Sequence, residues 1–127
     1  MPTRRQLRVS DQLREVISEL IRLEVDDPRL EGVTIMDVVI DRELEIANVY
    51  VNALSGEDAR KDVMRALDGA TRLLRKGMGR RVRLRKTPEL RFHWDESLAQ
   101  ADKIEALLAS IRVPSSEEAN ENADERD

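Results

Sequence analysis

Apolar residues at Val9, Leu13, Val16, Ile17, Leu20 and Ile21 recur three and four positions apart, the spacing that lays one stripe along an amphipathic helix. The pattern stops at Val25-Asp26-Asp27-Pro28, where proline disfavours helical geometry in the residue before it and has no amide to extend the ladder. Two β-branched runs follow. Val33-Thr34-Ile35-Met36-Asp37-Val38-Val39-Ile40 and Leu44-Glu45-Ile46-Ala47-Asn48-Val49-Tyr50-Val51 flank Asp41-Arg42-Glu43, which predicts an antiparallel hairpin. Ser55-Gly56-Glu57-Asp58 signals a turn and a helix start. Val63, Met64, Leu67, Ala70, Leu73 and Leu74 then continue at helical spacing, and Gly77 and Gly79 are expected to interrupt that helix. Past Thr87-Pro88, Leu90-Arg91-Phe92-His93-Trp94 alternates as a short strand with Phe92 and Trp94 facing the core. Leu98, Ala101, Ile104, Leu107, Leu108 and Ile111 outline a last helix.

The order helix, strand, strand, helix, broken helix, strand, helix predicts an α+β domain with helices packed on one face of a three-stranded sheet, plus a C-terminal helix. Its 127 residues suit one such domain over 1–112. Residues 113–127 carry six acids and one base with no periodicity, so an acidic, disordered tail is expected there. This tail changes how the net charge of −4 is read. Without it, residues 1–112 hold 21 bases against 20 acids, and the apparent argument against a nucleic-acid partner disappears.

Arg72, Arg75, Lys76, Arg80, Arg81, Arg83, Arg85 and Lys86 place eight bases between residues 72 and 86 without one acid. A run that begins on a helix and passes into a loop suits a curved phosphate backbone, against the plainer reading of a solvated helix face. Arg4, Arg5 and Arg8 form a second basic cluster, which either joins the first or is a frayed terminus. The acid-rich turn Asp41-Arg42-Glu43-Leu44-Glu45 is expected to lie away from RNA. Tyr50, Phe92 and Trp94 are the only aromatic residues, too few for base-stacking platforms, so phosphate and shape contacts are favoured.

Other chemistry is thinly supported. There is no cysteine, and the single histidine, His93, sits in a strand pattern as a packing or surface residue. No two glycines are three apart, so neither a G-x-x-G clamp nor a nucleotide-binding G-x-x-x-x-G-K loop is present. Neither catalysis, a metal nor a cofactor is expected. The basic N-terminus runs into Val9-Ser10-Asp11-Gln12 instead of an apolar stretch, which points away from a secretion signal and toward a cytoplasmic chain with no membrane association.

Several short motifs, in order, resemble the ribosome-binding factor A family over about residues 4–112. These are Arg8-Val9, Asp27-Pro28-Arg29, Val33-Thr34-Ile35, Ala47-Asn48-Val49-Tyr50-Val51, Arg75, Arg85-Lys86-Thr87-Pro88-Glu89-Leu90-Arg91-Phe92 and Asp95. The resemblance implies a type II KH-like domain whose second helix breaks at an Ala-x-Gly kink. Here that motif falls on Ala70-Thr71-Arg72, with arginine in place of the glycine, which leaves the break at Arg72 or at Gly77 and Gly79. It further implies binding to immature 30S subunits through 16S rRNA and neighbouring proteins, support of rRNA 5′-end maturation and of growth in the cold, release with an assembly GTPase, and a monomer. Two other readings stand beside it: a general KH-like binder of structured RNA, and a protein-interaction module acting through the acidic tail or last helix. Reversing Arg80, Arg81 and Arg83 to glutamate is expected to abolish ribosomal association with the fold intact.

Overall fold

A computed structural model describes residues 1–111, with the side chains of residues 98–103 and 111 left aside. The expected acidic tail at 113–127 lies outside the described residues. The chain divides after Asp95 into two units, and the first carries the sheet and its two long helices.

Helix α1 spans Arg4–Leu23 and starts a turn and a half before its apolar stripe. Thr3 and Gln6 explain the early start. The Gln6 N–H donates to Thr3 Oγ1 at 3.1 Å and the Thr3 N–H to Gln6 Oε1 at 2.8 Å, a reciprocal cap that satisfies amides the helix leaves without partners. Gln6 is itself buried, and its Nε2 donates to the Ile40 carbonyl at 3.2 Å, which ties the helix start to the end of a strand. The helix ends two residues before Val25, with Glu24 as its cap. Pro28–Leu30 then forms a 3-10 turn entered through Asp27, whose side chain accepts the Arg29 N–H.

Strands β1 (Val33–Ile40) and β2 (Ile46–Ala53) pair antiparallel, with Val33 opposite Ala53 and Ile40 opposite Ala47. Met36 is an extra residue at a bulge between Ile35 and Asp37. The second strand begins at Ile46, two residues after its expected start. Asp41 Oδ1 takes the N–H groups of Glu45 at 2.7 Å and Ile46 at 2.9 Å, so these residues close the turn first. Strand β3 (Glu89–Trp94) joins the other edge of β2 in parallel, giving the order β1-β2-β3.

Helix α2 spans Arg60–Arg81. It runs without interruption through Ala70-Thr71-Arg72 and through Gly77 and Gly79, so the broken helix expected from the glycines is corrected to a single one. Packing accounts for Gly77: a Cβ there would stand 2.7 Å from a Leu20 methyl carbon, so its bare backbone admits α1. A Cβ on Gly79 would meet Thr87 Oγ1 at 3.0 Å. The helix ends where Val82 turns to extended backbone, with φ −115° and ψ 120°.

Leu13, Ile17 and Leu20 from α1, Val49 and Val51 from β2, and Leu67, Leu74 and Met78 from α2 are buried together between the helices and one sheet face. Phe92 and Trp94 pack against this core, as their alternation implies. Helix α3 (Ser97–Ile111) belongs to the second unit.

Candidate nucleic-acid interface

On α2, buried Val63, Leu67, Ala70, Leu74 and Met78 turn the opposite side outward, and Arg72, Lys76 and Arg80 follow one another there at helical spacing. At 1.5 Å of rise per residue, Arg72 and Arg80 are about 12 Å apart along the axis. All three are exposed and make no ion pair among the described residues. Val82 and Leu84 then point inward from the connection to β3, leaving Arg83, Arg85 and Lys86 exposed. Arg83, Arg85 and Lys86 likewise lack an ion pair among the described residues.

The other two bases of the run are engaged within the fold. Arg75 reaches across to the loop, its Nε donating to the Pro88 carbonyl at 3.2 Å and Nη2 to the Thr87 carbonyl at 3.0 Å. With Pro88 fully buried, this brace fixes Arg85 and Lys86 relative to α2. Arg81 turns toward α1 and pairs with Glu19 at 3.4 Å and Glu24 at 3.6 Å. Reversing Arg81 would set a carboxylate against two others, so a variant of Arg80, Arg81 and Arg83 removes ion pairs within the fold as well as exposed charge.

Two hollows lie along this surface. An open groove of about 550 Å³ is lined by Asp68, Thr71, Arg72, Arg75, Lys76 and Thr87. A cleft of about 420 Å³ brings Arg5, from the start of α1, together with Arg85 and Lys86. One member of the second basic cluster thereby joins the first, whereas Arg4 and Arg8 are exposed on α1 and line neither hollow. The cleft also takes in Arg42, from the acid-rich turn expected to lie away from RNA: acids surround Arg42 in sequence, and tertiary packing sets it in one cleft with Arg85 and Lys86. Asp68 was missed in sequence, and Thr71 and Thr87, although they stand in the family motifs, were not read as groove residues.

His93 packs on the sheet face away from the two long helices. Its Nε2 lies 2.8 Å from Asn48 Oδ1, and its ring stacks on Tyr50 with centroids 5.0 Å apart. No group of three His, Cys, Asp or Glu residues suited to a metal occurs among the described residues. No described helix is long and apolar enough to cross a membrane.

A mixed three-stranded sheet, two long helices over one face and a basic helix-loop edge define an α+β domain of the type II KH-like class. The protein-family model for ribosome-binding factor A matches residues 5–108. A ribosome-binding factor A from Azoarcus sp. (strain BH72) is 39% identical over 104 residues, 82% of either chain. The chain belongs to the ribosome-binding factor A family. The crystal structure of ribosome-binding factor A from Thermus thermophilus superposes with a TM-score of 0.63 at 33% identity, over 69% of this chain and 93% of that one. A homology model of the Thermus thermophilus factor, fitted into the cryo-EM map of a 30S complex, gives a TM-score of 0.57 at 33% identity, over 68% and 91% of the two chains.

Proposed function

We propose that this protein binds immature 30S ribosomal subunits through the phosphates of 16S rRNA and assists late subunit assembly and 5′-end maturation without catalysis. The observation that carries the reading is the set of six cations, Arg72, Lys76, Arg80, Arg83, Arg85 and Lys86, exposed on one helix and its following loop with no ion pair among the described residues. Cations engaged by this fold find partners within it, as Arg81 does with Glu19 and Glu24 and Arg75 with the Thr87 and Pro88 carbonyls. Cations left in water are available to displace counterions from RNA. The fitted Thermus thermophilus relative supports the small subunit as the RNA in question. On this reading the protein works in the cytoplasm as a monomer, contributes to assembly in the cold and is released by an assembly GTPase.

Sedimentation of cell extract through sucrose gradients tests the proposal. The protein is expected with free small subunits at low salt, and a variant with Arg72, Lys76 and Arg80 changed to glutamate is expected at the top of the gradient. Arg81 is left alone so that α1 and α2 keep their ion pairs. Absence of the unaltered protein from every ribosomal fraction would sink the reading.

A further inference from the structure

The cleft at the hairpin end draws its cations from three elements: Arg5 from α1, Arg42 from the turn between β1 and β2, and Arg85 with Lys86 from the connection into β3. All four are exposed, and none has an ion pair among the described residues, so the fold gathers like charges where it gains nothing from them. The lining is also apolar in part. Leu44 and Leu84 line the same cleft and are only partly buried against the core.

Leu44 is the unusual member. Its φ of 59° lies in the left-handed region, and it alone among the described non-glycine residues has positive φ. A leucine is strained in that conformation, where asparagine or glycine is ordinary. The turn is nevertheless firmly closed. Asp41 accepts the Glu45 and Ile46 N–H groups through its side chain and the Leu44 N–H, at 3.1 Å, through its carbonyl. Strain of this kind persists where the surroundings over-determine it and is concentrated at ligand clamps. Its effect here is to keep Leu44 and Arg42 together in the cleft lining.

A cleft lined by four cations, two leucines and two glutamates matches an amphipathic anion. About 420 Å³ falls within the ~300–1,000 Å³ range of small-ligand sites. Glu43 and Glu45 also line the cleft, which discriminates between kinds of RNA. A duplex would present phosphates to these carboxylates, whereas an unpaired base brings an apolar ring face and, on adenine, guanine or cytosine, amino donors that a carboxylate accepts. We infer that this cleft seats one unpaired nucleotide of the bound RNA, its phosphate on Arg5, Arg42, Arg85 and Lys86 and its base over Leu44 and Leu84. The inference rests on the RNA-binding reading above and adds a second point of grip, separate from the groove beside Arg72 and Lys76.

Fluorescence anisotropy on the full chain tests it, with a single-stranded RNA oligonucleotide and a duplex of the same length as probes. Arg42→Ala is expected to weaken single-strand binding and to lower the slope of log affinity against log salt by about 0.7. Leu44→Asn, which suits a left-handed residue and leaves Leu84 as the one apolar residue of the lining, is expected to weaken single-strand binding by about fivefold or more while duplex binding changes little. Melting temperatures of both variants should stay within a few degrees of the unaltered protein. Either variant binding the single strand as tightly as the unaltered protein overturns the inference, as does Leu44→Asn losing both probes equally. Failure of the unaltered protein to bind either RNA would instead overturn the RNA-binding reading, and the nucleotide seat with it.

Discussion

Asp41 holds the hairpin turn through one carboxylate oxygen as well as its carbonyl, and the carboxylate makes the turn sensitive to acid. Its carboxyl is held below the ordinary value of 3.8, first by the Ile46 N–H and then by that of Glu45. A group whose value is depressed by folding adds stability that is fully present above its unfolded value, near 3.9, and is lost as pH falls through the folded one. Asp41→Asn keeps an acceptor oxygen but no charge. In urea unfolding, the unaltered protein is therefore expected to be the more stable at pH 7, with the gap closing below about pH 4. Parallel profiles for the two proteins would show that the ionised form contributes nothing. None of this was evident from Asp41-Arg42-Glu43, which in sequence is simply an acidic turn. The Leu44 conformation was hidden as well, because no composition rule places leucine at positive φ.

Glycine reads the same way in sequence wherever it falls in a helix, but α2 uses its glycines differently. A Cβ on Gly69 would have nothing within 4 Å, so Gly69→Ala is expected to stabilise the protein by about 0.5–1 kcal/mol through helix propensity. A Cβ on Gly77 would meet Leu20 carbons at 2.7 and 2.8 Å, and Leu20 is fully buried with little room to move. Gly77→Ala is expected to cost about 1–3 kcal/mol despite the same gain in propensity. Urea melts of the two variants check this, and shifts of the same sign would contradict it. Reading Gly77 as a helix break failed for the same reason: contact with α1 offsets a propensity penalty of about 1 kcal/mol, and that contact is not local. The start of α1 failed differently. Thr3-Arg4-Arg5-Gln6 carries the capping box openly, but the apolar period that located the helix begins only at Val9. The hairpin, β3 and the core positions were legible because alternation and helical spacing are local signals that tertiary packing then reinforced.

Across the molecule, the arrangement of charge matters more than its sum. The basic run from Arg72 to Lys86 was legible because it is contiguous, and Arg72, Lys76, Arg80, Arg83, Arg85 and Lys86 do form one exposed helix-loop edge beside the loop-bracing Arg75. Sequence could not divide the run by direction. Helical phase and the α1 crossing send Arg81 to Glu19 and Glu24, while the hairpin turn delivers Arg42 to the cleft with Arg5 and Arg85. The chain belongs to the ribosome-binding factor A family, and on the proposed function these exposed cations are its contact with RNA phosphates. The most direct test is the salt dependence of binding to 16S rRNA, measured for the unaltered protein and for the variant with Arg72, Lys76 and Arg80 changed to alanine. Each phosphate contact contributes roughly 0.7–0.9 to the slope of log affinity against log salt, so the variant's slope is expected to be smaller by about 2–3. An unchanged slope would mean that these cations touch no phosphate, and the account of this surface would be wrong.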